Sequence, residues 1–190
     1  MCCIADAGLP FLTEWSSFFA MTGTSAATLT GLMFVVLTLV SRASRRSRQD
    51  GIATFSTPTM LHFCAALYLS AVLAAPWRSL SYVSILLAIA GLYGIVYILR
   101  IMYRTKRLEI YVADLEDWIW YTILPFVAYI AVFASSIGLL AAPARALFAL
   151  AGAVVLLIFI GIRNSWDIVT YIASGRADEP ERTDRGDEPS

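Results

Sequence analysis

Charge is scarce in this chain, and it is missing where it would matter most. Only 15% of the 190 residues are charged and 59% are hydrophobic, whereas a soluble domain is nearer a quarter charged and half apolar. Residues 15–41, 79–99, 118–144 and 146–162 carry no Asp, Glu, Lys or Arg, and 49–77 carries only Asp50. Mean hydropathy is +0.72. The soluble-enzyme motifs H-E-x-x-H and G-x-S-x-G and the phosphate-binding glycine loop are absent. A single histidine excludes a His–His metal pair and a histidine-rich acid–base site. The three cysteines, Cys2, Cys3 and Cys64, form neither a disulfide framework nor a metal-spaced cluster. No lipidation motif surrounds Cys2–Cys3, and Cys64 reads as a small packing residue. Ion-coupled transporters generally keep carboxylates at depth, and the apolar runs have none. The net charge of zero hides this segregation, and no basic patch interleaved with aromatics lies outside the turns between runs, so no nucleic-acid partner is expected. No enzyme activity, cofactor or metal is expected either.

What is present is an all-α pattern of long apolar runs. Trp15–Val40 contains no charge and would be ~39 Å long as a helix, enough to cross a bilayer core with some tilt. Ala20, Gly23, Ala27 and Gly31 recur along it at helical spacing, among Thr24, Ser25, Thr28 and Thr30. Other helices can approach such a face closely, so this first helix is expected at the centre of a bundle. Residues 1–14 contain Asp6 and Glu14 but no Lys or Arg. A signal peptide needs a basic start and a shorter apolar run, so the first span is expected to be retained.

Five transmembrane spans are expected, at about 15–40, 57–75, 79–99, 118–140 and 146–162, within a domain of 15–172. The basic residues set the orientation. Arg42, Arg45, Arg46 and Arg48 follow the first span, and Arg100, Arg104, Lys106 and Arg107 follow the third. Arg163 follows the fifth, whereas the opposite turns hold only Arg78 and Arg145. The positive-inside rule then puts the N-terminus outside and the C-terminus in the cytoplasm. Ser56-Thr57-Pro58 suits a helix start. Gly91 and Gly94 should allow close packing in the third span, and Pro125 should kink the fourth. Leu108, Tyr111, Val112 and Leu115 fit one face of a short amphipathic helix within 105–117. Its acidic residues from 109 to 117 suit a solvated face, a partner surface or a cation site. Arg163 and Asp167 stand four apart and would pair on a continuing helix. The charged, Pro- and Gly-containing tail 173–190 should be disordered.

Two segments repeat. Leu73-Ala74-Ala75-Pro76-Trp77-Arg78 and Leu140-Ala141-Ala142-Pro143-Ala144-Arg145 share LAAP-x-R at an offset of 67 residues, and the same offset carries Pro58 onto Pro125. Spans two–three and four–five would then be duplicated hairpins related by an axis along the membrane normal. Coincidence in an Ala- and Leu-rich chain is the competing explanation.

The candidate chemistry is sparse. His62 lies inside the second span, where it would relay a proton, gate a path, or stay neutral and hydrogen-bonded to a neighbouring helix. Thr24 and Thr28 could line a polar pathway in an oligomer with His62; the plainer reading is that such hydroxyls join helices. Trp15, Phe18, Phe19, Gly23, Ala27, Leu29, Gly31, Leu32, Phe34 and Val35 form W-x2-FF-x3-G-x3-A-x-L-x-GL-x-FV. This motif resembles the first helix of uncharacterised multi-pass membrane proteins from bacteria. The resemblance covers that helix alone, implies a bacterial cytoplasmic (inner) membrane and supplies no activity. Two functions therefore stand. One is a non-enzymatic integral membrane protein acting by helix association, as a scaffold, assembly or regulatory subunit, with a homo-oligomer or another membrane protein as partner. The other is an oligomeric channel lined by the first helix and His62.

Overall fold

The computed structural model describes residues 9–43, 46–107 and 118–177, and all described regular structure is helical. Each apolar run closes its own i→i−4 hydrogen bonds, as lipid demands of a spanning segment. The described residues form five α-helices: α1 (Leu9–Ala43), α2 (Arg46–Ala74), α3 (Leu80–Arg107), α4 (Leu124–Gly138) and α5 (Pro143–Ala177). Among the described residues four apolar segments are long enough to cross a membrane: Leu9–Leu39, Leu80–Tyr103, Ile119–Gly138 and Pro143–Asp167. The described apolar part of α2, Thr59–Ala74, is shorter. This is a membrane protein by length and composition.

The helices outrun the expected spans. α2 starts at Arg46 rather than near 57 and passes through Pro58, while α3 continues to Arg107. Nothing in these basic stretches stops a helix, since Arg and Lys are good helix formers. α5 likewise continues to Ala177, where a disordered tail was expected from 173. Arg45, the acidic segment 109–117 and residues 178–190 lie outside the described residues.

Pro125 acts through a π-helical turn, Ile119–Ile123, that leads directly into α4. Proline cannot donate to the carbonyl of Tyr121, four residues back. The turn widens, and the Leu124 amide donates instead to the carbonyl of Ile119, five residues back.

Packing places α1 on one side of the bundle rather than at its centre. It lies against α2 and, over a smaller area, α5. α2 also packs on α5, α3 packs on α4, and α4 packs on α5. α2 and α3 touch little although a short connection joins them. The core is an apolar stack that includes Phe19 and Ala26 of α1, Ala66 and Leu69 of α2, Leu87 of α3, Val132 of α4, and Val154 and Leu157 of α5.

Candidate functional site

Two features stand out against this apolar background. The first is a polar layer inside the bundle. His62 is fully buried, and its Nδ1 lies 3.0 Å from the Tyr129 hydroxyl. The bond joins α2 to α4, two helices that share no extensive face. Tyr129 is held by Gly94 of α3, because a Cβ at that glycine would collide with the tyrosine ring. Gly91, one turn away, lies so close to α4 that a Cβ there would stand 2.8 Å from the Phe133 backbone nitrogen. The third span's two glycines thus form the α3–α4 contact. On the other side, Phe63 occupies the space a Cβ at Gly161 of α5 would need.

Further polar groups share this end of the bundle. Thr59 and Asn164 are fully buried. Among the described residues, His62 Nε2 and both amide atoms of Asn164 have no hydrogen-bond partner. One turn beyond Asn164, Asp167 pairs with Arg163 and accepts a hydrogen bond from the Tyr121 hydroxyl at 3.3 Å. Arg163 and Asp167 are about one-third exposed, at the end of the apolar segment Pro143–Asp167. Toward the other end the buried polar groups are self-contained. Thr22 and Ser70 share a hydrogen bond of 3.0 Å between α1 and α2, and Ser84 donates to the Ser136 carbonyl at 2.5 Å.

The second feature is the outer face of α1. Gly23 faces the bundle against Ser70, but Ala20, Thr24, Ala27, Thr28 and Gly31 are exposed, and nothing lies within 4 Å of a Cβ at Gly31. The core face of the same helix is Leu12, Phe19, Thr22, Ala26 and Met33. On the exposed side, Thr13, Ser17, Ala20, Thr24, Ala27 and Gly31 follow one another at steps of four and three, the repeat of a helix–helix seam. Hydroxyls on this side turn back onto their own helix: Thr24 donates to the Ala20 carbonyl at 2.8 Å and Thr28 to that of Thr24 at 2.9 Å. Such hydroxyls need no outside acceptor.

The candidates read from sequence therefore separate. His62 lies inside the bundle and Thr24 and Thr28 outside it, so one molecule does not bring them onto one path. Arg100 is exposed at the rim of α3. Arg42, Arg46, Arg48, Arg104, Lys106 and Arg107 belong to helix ends. Sequence reasoning did not single out Tyr129 or Asn164 as site residues. The signal for Tyr129 was available, since it stands 67 residues from His62, the offset of the repeat. Asn164 had no signal, because one amide near a span's end is indistinguishable from an interfacial residue. Among the described residues no group of three His, Cys, Asp or Glu could hold a metal.

Comparison with family models, with curated proteins and with solved structures returned no match.

Proposed function

We propose that this chain is a non-enzymatic integral membrane protein that works by association, using the outer face of α1 to bind a second copy. One observation carries the reading. Thr13, Ser17, Ala20, Thr24, Ala27 and Gly31 of α1 are turned away from the bundle, leaving a smooth strip along a helix whose opposite face, with Thr22, Gly23 and Ala26, meets the core. Between lipid-embedded helices there is no hydrophobic drive to associate, and close backbone approach along small residues supplies the contact. Met21, Leu32, Phe34 and Val35, all more than half exposed, would flank that contact. The reading suits a scaffold, assembly or regulatory subunit. Energy transfer between donor- and acceptor-labelled copies in liposomes tests it. Transfer should persist on lipid dilution and fall several-fold in Ala27→Leu or Gly31→Leu, and lipid-dilution loss in the unaltered protein would overturn it.

The finer topology belongs to the same reading. Five spans, the N-terminus outside and the C-terminus inside, are supported by the Arg and Lys residues after the first, third and fifth apolar runs. The Ala- and Arg-rich composition agrees with a bacterial cytoplasmic membrane. Duplicated hairpins gain support from pairs 67 residues apart. His62 and Tyr129 bond to each other, as residues near a two-fold axis would. Gly94 and Gly161 each receive an aromatic ring. Leu80, Val83 and Leu87 are buried, as are Leu147, Leu150 and Val154. α1 breaks the symmetry: it covers Phe63 and Ser70 of α2 through Met33 and Thr22, while their counterparts Ile130 and Ile137 on α4 stay exposed.

The channel reading has weaker support, because its lining residues Thr24, Thr28 and His62 face different ways. Single-channel current from liposomes, beside a His62→Ala variant, decides it. Silence is expected, and a conductance altered by the substitution would revive the channel.

A further inference from the structure

His62 Nε2 and both amide atoms of Asn164 are buried without a partner among the described residues. Their positions are linked. Phe63 of α2 meets Gly161 of α5, and the two helices run antiparallel, as the connections α2–α3 and α4–α5 and the α3–α4 glycine contacts require. One turn from that contact toward the start of α2 comes Thr59, and one turn toward the end of α5 comes Asn164. Asn164 belongs to the buried stripe of Leu157 and Ile160, so it projects into the bundle, as His62 does. The two side chains therefore enter one polar layer from two helices, with Tyr129 entering from a third.

The chemistry of the layer selects its occupant. It holds an imidazole, an amide and hydroxyls, and no carboxylate of the described residues is buried in it. A metal cation would lack a counter-charge there, since hard cations take carboxylate ligands. Water donates and accepts equally well, so it satisfies Nε2 in either tautomer and both ends of the amide. The layer is closed on one side by Ala66, Leu69, Val132 and Leu157. On the other side stand Arg163, Asp167 and Tyr121, partly exposed.

We propose that His62 and Asn164 form an internal hydration site, holding water admitted from the Arg163–Asp167 end, with Tyr129 fixing the imidazole ring. The site is a dead end and not a pore. It gives the chain's one histidine proton exchange with the solvent on one side of the membrane, and it is independent of association through α1.

The single histidine makes the test direct. In ¹⁵N,¹³C-histidine-labelled protein in nanodiscs, one imidazole contributes signals. Magnetisation transfer from water to the ring Cε1–H and Nε2 should build up within milliseconds. It should fall several-fold in Asn164→Leu while the Nδ1 signal, set by Tyr129, stays in place. Absence of water transfer in the unaltered protein would overturn the proposal whether or not the variant folds. Undiminished transfer in a folded Asn164→Leu would overturn the part assigned to Asn164.

Discussion

A single methyl group separates the glycines that hold this bundle from those that do not. At Gly94 a Cβ would enter the Tyr129 ring, and at Gly31 it would meet nothing. Gly94→Ala should therefore cost about 1–3 kcal/mol through overpacking, and it should loosen the His62–Tyr129 bond. Gly31→Ala should leave the monomer within about 0.5 kcal/mol of the original. Reversible unfolding of the two variants in mixed micelles compares them directly; equal losses would contradict the packing described. Tyr129→Phe keeps the ring and removes the hydroxyl, leaving His62 Nδ1 without its partner. It should cost about 1–3 kcal/mol, the penalty for leaving a buried polar group unsatisfied, and it should shift the Nδ1 resonance of the lone histidine. These roles were only partly legible in the sequence. Gly91, Gly94 and His62 could be picked out because glycine and histidine are conspicuous in an apolar run. Phe133 could not, because it looks like an ordinary aromatic residue until helix pairing is known, and Tyr129 was marked only by its 67-residue offset from His62.

At the scale of the element, proline and hydroxyl residues shape helices that their apolar residues alone would make straight and interchangeable. Pro125 is read from sequence as a kink and takes the form of a π-helical turn. In Pro125→Ala the restored amide can donate to the Tyr121 carbonyl, and the turn should tighten to an α-helix. Residues before it would then rotate by roughly 100°, the angle of one α-helical residue. The Tyr121–Asp167 bond would break, and labelling of a cysteine placed at Ile119 should change markedly; an unchanged pattern would show that Pro125 does not cause the turn. The ends of α2, α3 and α5 were not legible in the sequence for a different reason. Hydropathy marks where a helix leaves lipid, not where its hydrogen bonding stops. The side on which α1 packs was also illegible. Two faces of that helix carry small residues, and the one used inside, with Gly23 and Ala26, also buries Leu12, Phe19 and Met33 and brings Thr22 to Ser70. Ser70→Ala should cost about 0.6 kcal/mol, as interhelical hydroxyl bonds in membranes do.

At the scale of the molecule, the all-helical membrane class followed from charge segregation alone, because uncharged runs of this length have few other fates. The arrangement of helices did not follow. An apolar helix surface suits lipid and protein alike, so the exposed face of α1 became visible only once the bundle's own contacts were assigned. The central claim is that this face joins two copies, and disulfide scanning in native membranes tests it most directly. Cys2, Cys3 and Cys64 are first replaced by serine, and single cysteines are then placed along residues 13–35. Cross-linking between copies should peak at 17, 20, 24, 27 and 31 and vanish at 19, 22 and 26. Uniformly low cross-linking, or a maximum on another face, would contradict association through α1.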